Sequence, residues 1–264
     1  MDLNPVGSEE RTETAVAESR PVPALLDPPW TGWDIAFLCL VSILAIFIVR
    51  PLVVLAATHI FYSGVPWATV AQKPVILLST QFVWYALVLL YMVMFVEGTF
   101  HRRFWETIRW NWPRYNWGSL AFLGALTVSL DLLVRFFKVP QHVPMEEFLS
   151  TPQAAVLTGI LAVTVGPLME ELFFRGFLYP VLARRFGIAA SVVATSLLFG
   201  FVHGAQLAFA WGLVFIIFLV GIVLTTVRAK TGSVGASFVV HVAYNSTLVI
   251  LGIIGSQHVD KIPK

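Results

Sequence analysis

The sequence predicts an all-α polytopic membrane protein with about seven transmembrane helices, within a range of six to eight, that enclose a polar site inside the bundle. Of its 264 residues, 58% are hydrophobic and 12% are charged, whereas a soluble domain carries about 25% charged residues. The apolar residues form long runs, and most runs reach the ~20 residues with which a helix crosses a bilayer. These runs cover residues 35–57, 74–96, 117–134, 153–183, 190–206, 208–227 and 233–255.

Two of the runs are less regular than the others. Arg50 and Pro51 interrupt the first run, which predicts either a kinked span or a span followed by a re-entrant turn. The fifth run has about 17 residues, which is the shortest usable length for a span. The predicted number of spans therefore depends on these two runs.

The chain is predicted to contain three parts. Residues 1–30 are polar, acidic and proline-containing, without the apolar stretch of a signal peptide, and we interpret them as a disordered tail. Residues 31–150 hold the first three spans and an interfacial segment, 99–116, which is either an amphipathic segment among the lipid headgroups or an ordinary loop. Residues 151–256 hold the remaining spans and the polar residues discussed below.

The basic residues predict the orientation in the membrane. With the amino terminus in the cytoplasm, eight Lys and Arg residues fall on cytoplasmic loops and four on outer loops, which the positive-inside rule favours. We therefore expect a multi-pass protein of the plasma membrane with a cytoplasmic amino terminus. The first set is Arg102, Arg103, Arg109, Arg114, Arg184, Arg185, Arg228 and Lys230, and the second is Arg50, Lys73, Arg135 and Lys138.

Composition also excludes some classes of protein. The net charge of +2 and the absence of a basic run argue against nucleic acid as a partner. Cys39 is the only cysteine, so an intramolecular disulfide and a cysteine-rich metal site are excluded. The lipid bilayer is the partner that the composition does predict.

The fourth run is too long for one straight span. It begins near Thr151 and ends near Gly187, and its ~35 residues would form about 52 Å of α-helix. A proline disfavours the helical conformation of the residue before it, so we predict a break at Gly166–Pro167.

Three charged residues, Glu170, Glu171 and Arg175, lie in the otherwise apolar second half of this run. At the centre of a bilayer each charge costs roughly 2.5–3.5 kcal/mol, so a helix that only anchors the chain would not carry three. Glu171 and Arg175 are four residues apart on one helical face and are predicted to pair. Glu170 points about 100° away from that face, so it needs a partner on another helix or has a chemical role.

Two further groups of polar residues lie at a similar predicted depth. They are His203 in the fifth run, and His241 with Asn245 in the seventh. Counted from the segment ends, these side chains and Glu170 lie about 14–21 Å from the cytoplasmic boundary, so we expect them in one layer that is reached from the inner leaflet. Each residue alone would more often be a hydrogen-bonding contact between helices than a catalytic group.

Asp131 and Arg135, in the third run, are also four residues apart. We interpret them as a structural ion pair near the membrane boundary.

The three groups resemble the three motifs of a known family. They read Glu170-Glu171-x-x-x-Arg175, Phe199-x-x-x-His203 and His241-x-x-x-Asn245, in the right order and with no departure at a signature position. The pattern resembles the CAAX-protease and bacteriocin-processing (CPBP) membrane family, which includes type II CAAX prenyl endopeptidases and the Abi and lysostaphin-resistance-like proteins. The resemblance covers about residues 150–250.

This resemblance implies an intramembrane endopeptidase that cleaves a membrane-associated peptide or protein, prenylated CAAX termini being the best-known substrates. No serine, cysteine or threonine nucleophile is needed, and donors aimed at a developing oxyanion would stabilise the tetrahedral intermediate. The implied roles are Glu170 as general base on water, assisted by His203; His241 and Asn245 as donors to the oxyanion; and Glu171 with Arg175 as support of the site.

Two alternatives stay open at this point. Family members are often called metalloproteases, and Glu170, His203 and His241 could bind Zn²⁺, although without a His-Glu-x-x-His signature we favour a site with no metal or other cofactor. The chain could also be a non-enzymatic immunity or scaffold protein, or a transporter with a buried polar site. A transporter would be expected to show a symmetric pair of broken spans.

Overall fold

The protein is a bundle of helices, as the sequence predicts. The computed structural model describes residues 28–112, 116–140, 142–149 and 151–259. Within these residues every regular element is helical, and six helices are long and apolar enough to cross a membrane. The predicted all-α polytopic class is therefore confirmed. Most of the predicted disordered tail, residues 1–27, lies outside the described residues.

The amino-terminal half supplies three of the long helices. The first is a single helix that continues through Pro51, so the chain makes no re-entrant turn there. The elements of this half are α1 (Gly32–Ile60), α2 (Trp67–Ala71), α3 (Pro74–Phe100), α4 (Phe104–Thr107), α5 (Trp117–Thr127), a 3-10 helix that continues α5 (Val128–Phe136) and a second 3-10 helix (Pro144–Leu149).

The carboxy-terminal half contains the other three long helices and one shorter apolar helix. Its fourth span is assembled from several helical pieces in succession. The elements are α6 (Pro152–Val163), α7 (Val165–Glu171), a π-helical segment (Leu172–Leu178), α8 (Tyr179–Phe186), α9 (Ile188–Val202), a 3-10 turn (Ala205–Leu207), α10 (Trp211–Thr231) and α11 (Val234–Val259).

The predicted break at Gly166–Pro167 is wrong, because the helix axis is interrupted at Thr164 instead. Thr164 adopts φ −126° and ψ −87° between α6 and α7. Pro167 is the third residue of α7, where backbone N–H groups have no partner within the helix, so a proline fits without a further break. The π-helical segment then begins directly after Glu171, and π turns inside α-helices are frequent at functional sites.

The fifth apolar run forms a helix that is shorter than a full span. α9 has 15 residues, about 22 Å, whereas the hydrocarbon layer is ~30 Å thick. Beyond its end the chain is irregular, with Ala208 and Phe209 in the left-handed backbone region. Irregular backbone at membrane depth is tolerated where it lines a cavity, and Gln206 and Leu207 do line one.

The predicted ion pair between Asp131 and Arg135 is also wrong. These residues lie in a 3-10 helix, which has 3.0 residues per turn, so side chains four apart lie about 120° from each other. Asp131 accepts hydrogen bonds from the Tyr244 hydroxyl, whereas Arg135 Nε donates to the carbonyl of Leu132 at 2.8 Å.

Glycines allow two pairs of helices to pack closely. A Cβ atom at Gly124 of α5 would collide with the Val240 carbonyl of α11, and one at Gly200 of α9 would meet the Val214 carbonyl of α10 at 3.0 Å. Gly221 of α10 faces Ser196 of α9 in the same way. These contacts hold α11, which carries His241, against α5, and α9, which His203 directly follows, against α10.

Residues from outside the spans close the end of the bundle that carries the basic loops. Trp30 is fully buried and stacks on Phe177 with 4.4 Å between ring centroids. Arg184 donates to the carbonyls of Pro28 and Trp30 at 2.9 and 3.0 Å. Residues 28–30, which the sequence assigned to the tail, are therefore part of the packed structure.

The described part of the predicted interfacial segment contains one helical turn, α4. Phe104 at its start is fully buried, and its ring lies 6.2 Å from that of Phe177. Ile108 is 1% exposed and packs over Gly176. This segment thus inserts side chains into the end of the bundle, while Trp105 and Trp112 remain exposed.

Candidate active site

Glu171 and Arg175 form a fully buried ion pair where α7 meets the π-helical segment. Arg175 Nη1 donates to Glu171 Oε1 at 2.8 Å, and both side chains are 0% exposed. Arg175 also donates to the Thr225 hydroxyl and the Gly221 carbonyl of α10, each at 3.3 Å. The predicted pair is therefore present, and α10 holds its guanidinium in place.

The Glu170 carboxylate faces two imidazoles that come from two other helices. Its Oε1 lies 3.8 Å from His203 Nε2, and its Oε2 lies 3.6 Å from His241 Nε2. The Glu170 side chain is 24% exposed, in contrast to the buried Glu171 beside it. Three residues that the sequence placed at one depth thus meet, and the two adjacent glutamates have different surroundings.

On each imidazole, the Nδ1 atom, which is not the atom that faces Glu170, makes a hydrogen bond that locates one ring proton. His203 Nδ1 lies 2.7 Å from the Phe199 carbonyl, which can only accept, so Nδ1 carries hydrogen. His241 Nδ1 lies 2.9 Å from Glu171 Oε1, and the ionised carboxylate likewise accepts. In the neutral form of either ring the Nε2 atom that faces Glu170 is therefore an acceptor.

The Phe199 ring packs against several side chains of the site. Its ring is 2% exposed and lies 4.8 Å from the ring of His203 and 5.9 Å from that of His241. The guanidinium carbon of Arg175 lies 4.5 Å from the centroid of the same ring, a cation–π contact. One aromatic ring thus packs against both imidazoles and the buried cation.

Asn245 lies one turn after His241 on α11 and joins that helix to the break in the fourth span. Its Nδ2 donates to the carbonyl of Ala162 at 2.6 Å. Ala162 belongs to the last turn of α6, where carbonyls lack partners within the helix. The amide carries a second N–H, which can serve another acceptor.

A cavity of about 370 Å³ opens beside these residues, within the usual size range of small-molecule and peptide sites. Glu170, His203, His241 and Asn245 all line it, and most of its remaining wall is apolar. The sequence did not assign its other polar lining residues to a site, and it interpreted one of them, Asp131, as part of a structural ion pair; they are Gln81, Tyr85, Asp131, Thr158, Gln206 and Tyr244.

Sequence reasoning could not find these lining residues, or Thr225 beside Arg175, for two reasons. Thr225, which binds Arg175, also donates to the carbonyl four residues before it, as threonines in apolar helices commonly do. Tyr85 and Gln81 share a hydrogen bond of 3.1 Å within α3, and such a local pair does not indicate a cavity. Tyr244 could have been suspected as a site residue from the sequence, because it adjoins Asn245 within a motif.

The cavity extends away from the basic loops. On α10 its lining runs from Leu213 to Val220, in the first half of the helix, whereas Arg228 and Lys230 lie in the last turn. The cavity therefore lies mainly on the side of Glu170 that is farther from the basic loops, and access from the inner leaflet stays a prediction. A depth of ~20 Å from one boundary of a ~30 Å layer leaves only ~10 Å to the other boundary.

The donor atoms around Glu170 do not form a metal site in this arrangement. Two imidazoles and a carboxylate are suitable ligand types for Zn²⁺. Within the part of the chain that the structure describes, however, no group of three or more His, Cys, Asp or Glu side chains is arranged to hold a metal ion. We therefore derive no chemical step through a metal.

Comparison with known families agrees with the motifs. The model of the family described as type II CAAX prenyl endopeptidase Rce1-like matches residues 152–247. These residues form an Rce1-like domain. The resemblance that the sequence suggested is thereby confirmed, and the Rce1-like domain contains every motif residue from Glu170 to Asn245. No curated protein and no solved structure matches the chain.

The six apolar helices and the Rce1-like match over residues 152–247 together support an integral membrane protein. The first three spans lie outside the matched residues, but α3 contributes Gln81 and Tyr85 to the cavity of the Rce1-like domain. The site is thus completed by a helix that precedes the domain.

Proposed function

We propose that the protein is an intramembrane endopeptidase in which Glu170 activates water for attack on a peptide bond of a membrane-associated substrate. The observation that carries this proposal is the meeting of the Glu170 carboxylate with His203 Nε2 at 3.8 Å and His241 Nε2 at 3.6 Å. The three groups lie in a cavity of the Rce1-like domain. A carboxylate that is open to a cavity and flanked by imidazoles can accept a proton from water.

An additional proton on His241 would lie between the two glutamates. With both glutamates ionised and Arg175 protonated, the buried cluster carries a net charge of −1, and an unbalanced buried charge is costly. One imidazolium makes the cluster neutral. His241 contacts Glu171 through Nδ1 and Glu170 through Nε2, whereas His203 contacts only Glu170. A protonated His241 would direct an Nε2–H towards the cavity, as a donor to an oxyanion must.

The reaction then needs only groups of this chain, the substrate and water. Glu170 takes one water proton while the water oxygen bonds to the scissile carbonyl carbon, whose π electrons move to oxygen. His241 Nε2–H and the second amide N–H of Asn245 stabilise that oxyanion. When the carbon–nitrogen bond breaks, the proton on Glu170 passes to the leaving amine. His203, fixed by the Phe199 carbonyl, accepts through Nε2 the second hydrogen bond of the attacking water and so orients it.

The apolar cavity walls support a membrane-associated peptide as the substrate class. The description of the matching family names CAAX prenyl endopeptidases, so prenylated CAAX termini are one candidate. An apolar cavity of this kind would also accept unprenylated membrane peptides. A panel of both substrate types would separate the two.

The proposed function predicts that the purified protein cleaves peptides in the presence of a metal chelator. His203→Gln should lose about 10²-fold or more in kcat, because the attacking water loses the imidazole that orients it. The measurement is cleavage of a labelled peptide library by protein in detergent, with zinc content determined in parallel. His142→Gln is the matched control, since His142 is exposed and outside the cavity, and it should keep full activity.

Two outcomes would contradict parts of this proposal. Stoichiometric zinc, with activity lost on chelation and restored by zinc, would replace the metal-free mechanism. Absence of cleavage together with unchanged peptide binding in His203→Gln would favour a non-enzymatic immunity or scaffold protein or a transporter.

We also propose that the protein lies in the plasma membrane with its amino terminus in the cytoplasm, as the basic loops indicate. In a Cys39→Ser background, an impermeant thiol reagent should label Ser63→Cys in intact cells and Arg185→Cys only after permeabilisation. Both positions are exposed, one in the α1–α2 connection and one at the end of α8. The reverse labelling pattern would invert the orientation.

A further inference from the structure

The cavity contains a second carboxylate, Asp131, that the proposed mechanism does not use. Asp131 is half-buried and lines the cavity, and the Tyr244 hydroxyl lies 3.2 Å from its Oδ1 and 3.1 Å from its Oδ2. Tyr244 follows His241 by three residues, about 4.5 Å farther along α11. Asp131 therefore lines the same cavity as Glu170, at a level of α11 that is farther from the basic loops than His241.

No cation balances this carboxylate within the described part of the chain. Arg135, the partner expected from the sequence, is exposed and donates to a backbone carbonyl. The described lining of the cavity includes neither lysine nor arginine. The two imidazoles in the lining are both engaged with Glu170 and its neighbours. Among the described side chains the partner of Asp131 is thus the neutral Tyr244 hydroxyl, and an ionised Asp131 leaves an unbalanced negative charge in the cavity.

An unbalanced negative charge in an apolar cavity favours the entry of cationic groups over anionic groups. Coulomb interactions are several times stronger beside low-dielectric walls than in bulk water. Such a cavity raises the local concentration of cations and opposes the entry of anions. A substrate group with a positive charge would gain a charge-assisted hydrogen bond at Asp131, whereas a carboxylate would meet like charge.

We infer that Asp131 is a specificity-determining residue that selects substrates with a lysine or arginine side chain close to the scissile bond. It also disfavours substrates that bring a free terminal carboxylate into the cavity, as a CAAX-type terminus does. The preferred substrate is an internal, basic segment of a membrane-associated peptide. This inference rests on the proposed endopeptidase function.

The test compares peptides that differ only in charge. The best-cleaved peptide of a carboxy-amidated library is remade with Lys, norleucine or Glu beside the scissile bond, and also with a free carboxylate. For the wild-type protein, kcat/KM should be at least ~10-fold higher with Lys than with Glu, and the free acid should be cleaved more slowly than the amide.

Asp131→Asn should remove this preference, so that the Lys and Glu peptides agree within ~2-fold. Asparagine has the shape of aspartate and still accepts from the Tyr244 hydroxyl, so the fold should be kept. Glu106→Gln is the matched control, since it removes one negative charge from an exposed pair with Arg103 outside the cavity. This control should retain the full preference for Lys.

The outcomes separate this inference from the proposed function. Cleavage of the Lys, norleucine and Glu peptides at equal kcat/KM by the wild type would overturn the role of Asp131 and leave the protease intact. If no peptide is cleaved, the proposed function fails, and affinities of the same fluorescently labelled peptides decide about Asp131. Tighter binding of the Lys peptide that Asp131→Asn abolishes would support the role, and equal binding would overturn it.

Discussion

Glu170→Gln is expected to lower kcat by about 10³-fold or more, because glutamine cannot take a proton from water. Stability should change by less than about 1 kcal/mol, since the amide has the same shape and can hydrogen-bond to His203 or His241 in place of the carboxylate. The measurement is single-turnover cleavage of a labelled peptide, with thermal unfolding of the same preparation in detergent.

Glu97→Gln provides the matched control for this substitution. Glu97 lies near the end of α3, outside the cavity, and its Oε1 accepts from the backbone N–H of Phe104 at 3.1 Å. Glutamine keeps that acceptor, so turnover should stay within ~2-fold of the wild type. Near-normal turnover in Glu170→Gln would eliminate water activation by this carboxylate.

Breaking the buried pair should have the largest effect on stability. Glu171→Gln or Arg175→Leu alone is expected to cost about 3–5 kcal/mol, because each leaves an uncompensated charge where neither side chain is exposed. The double mutant should recover part of that loss. Recovery will be incomplete, since Arg175 also donates to Thr225 and to the Gly221 carbonyl. A double-mutant cycle by thermal unfolding measures the coupling.

The exposed pair of Arg103 and Glu106 is the matched control for the cycle. Its side chains are 83% and 71% exposed, and the corresponding coupling should be below about 1 kcal/mol. If Arg175 proved to be coupled to Glu170 instead of Glu171, the roles of the two glutamates would have to be exchanged.

Glu171→Gln should also reduce turnover, which the sequence alone did not suggest. Glu171 Oε1 accepts from both Arg175 and His241. Without the negative charge, the extra proton on His241 loses its nearest counter-ion. Glu171 is therefore expected to affect turnover as well as stability, whereas the sequence implied only a supporting role for it.

The sequence predicted the meeting of Glu170, His203 and His241 because depth along a helix follows directly from residue number. It also predicted the pair of Glu171 and Arg175, because the π-helical segment still leaves residues four apart near one face. These predictions depend only on helical geometry within each span.

The remaining features depend on geometry that a single helix does not determine. The pairing of Asp131 with Arg135 assumed α-helical spacing where the chain is a 3-10 helix. The bond between Asp131 and Tyr244 joins residues 113 positions apart. Burial of Trp30 requires Phe177 and Arg184 from the other half of the chain. The direction in which the cavity extends depends on how side chains from several helices pack together.

The short length of α9 has a consequence for how the protein is made. A helix of about 22 Å cannot satisfy a ~30 Å hydrocarbon layer from one side to the other, so α9 is a poor candidate for independent release from a translocon into lipid. Its partner is α10, onto which it packs through Gly200 and Gly221. We therefore expect the two helices to enter the bilayer as one hairpin, so that the histidine between them reaches its depth only after synthesis of α10 is complete.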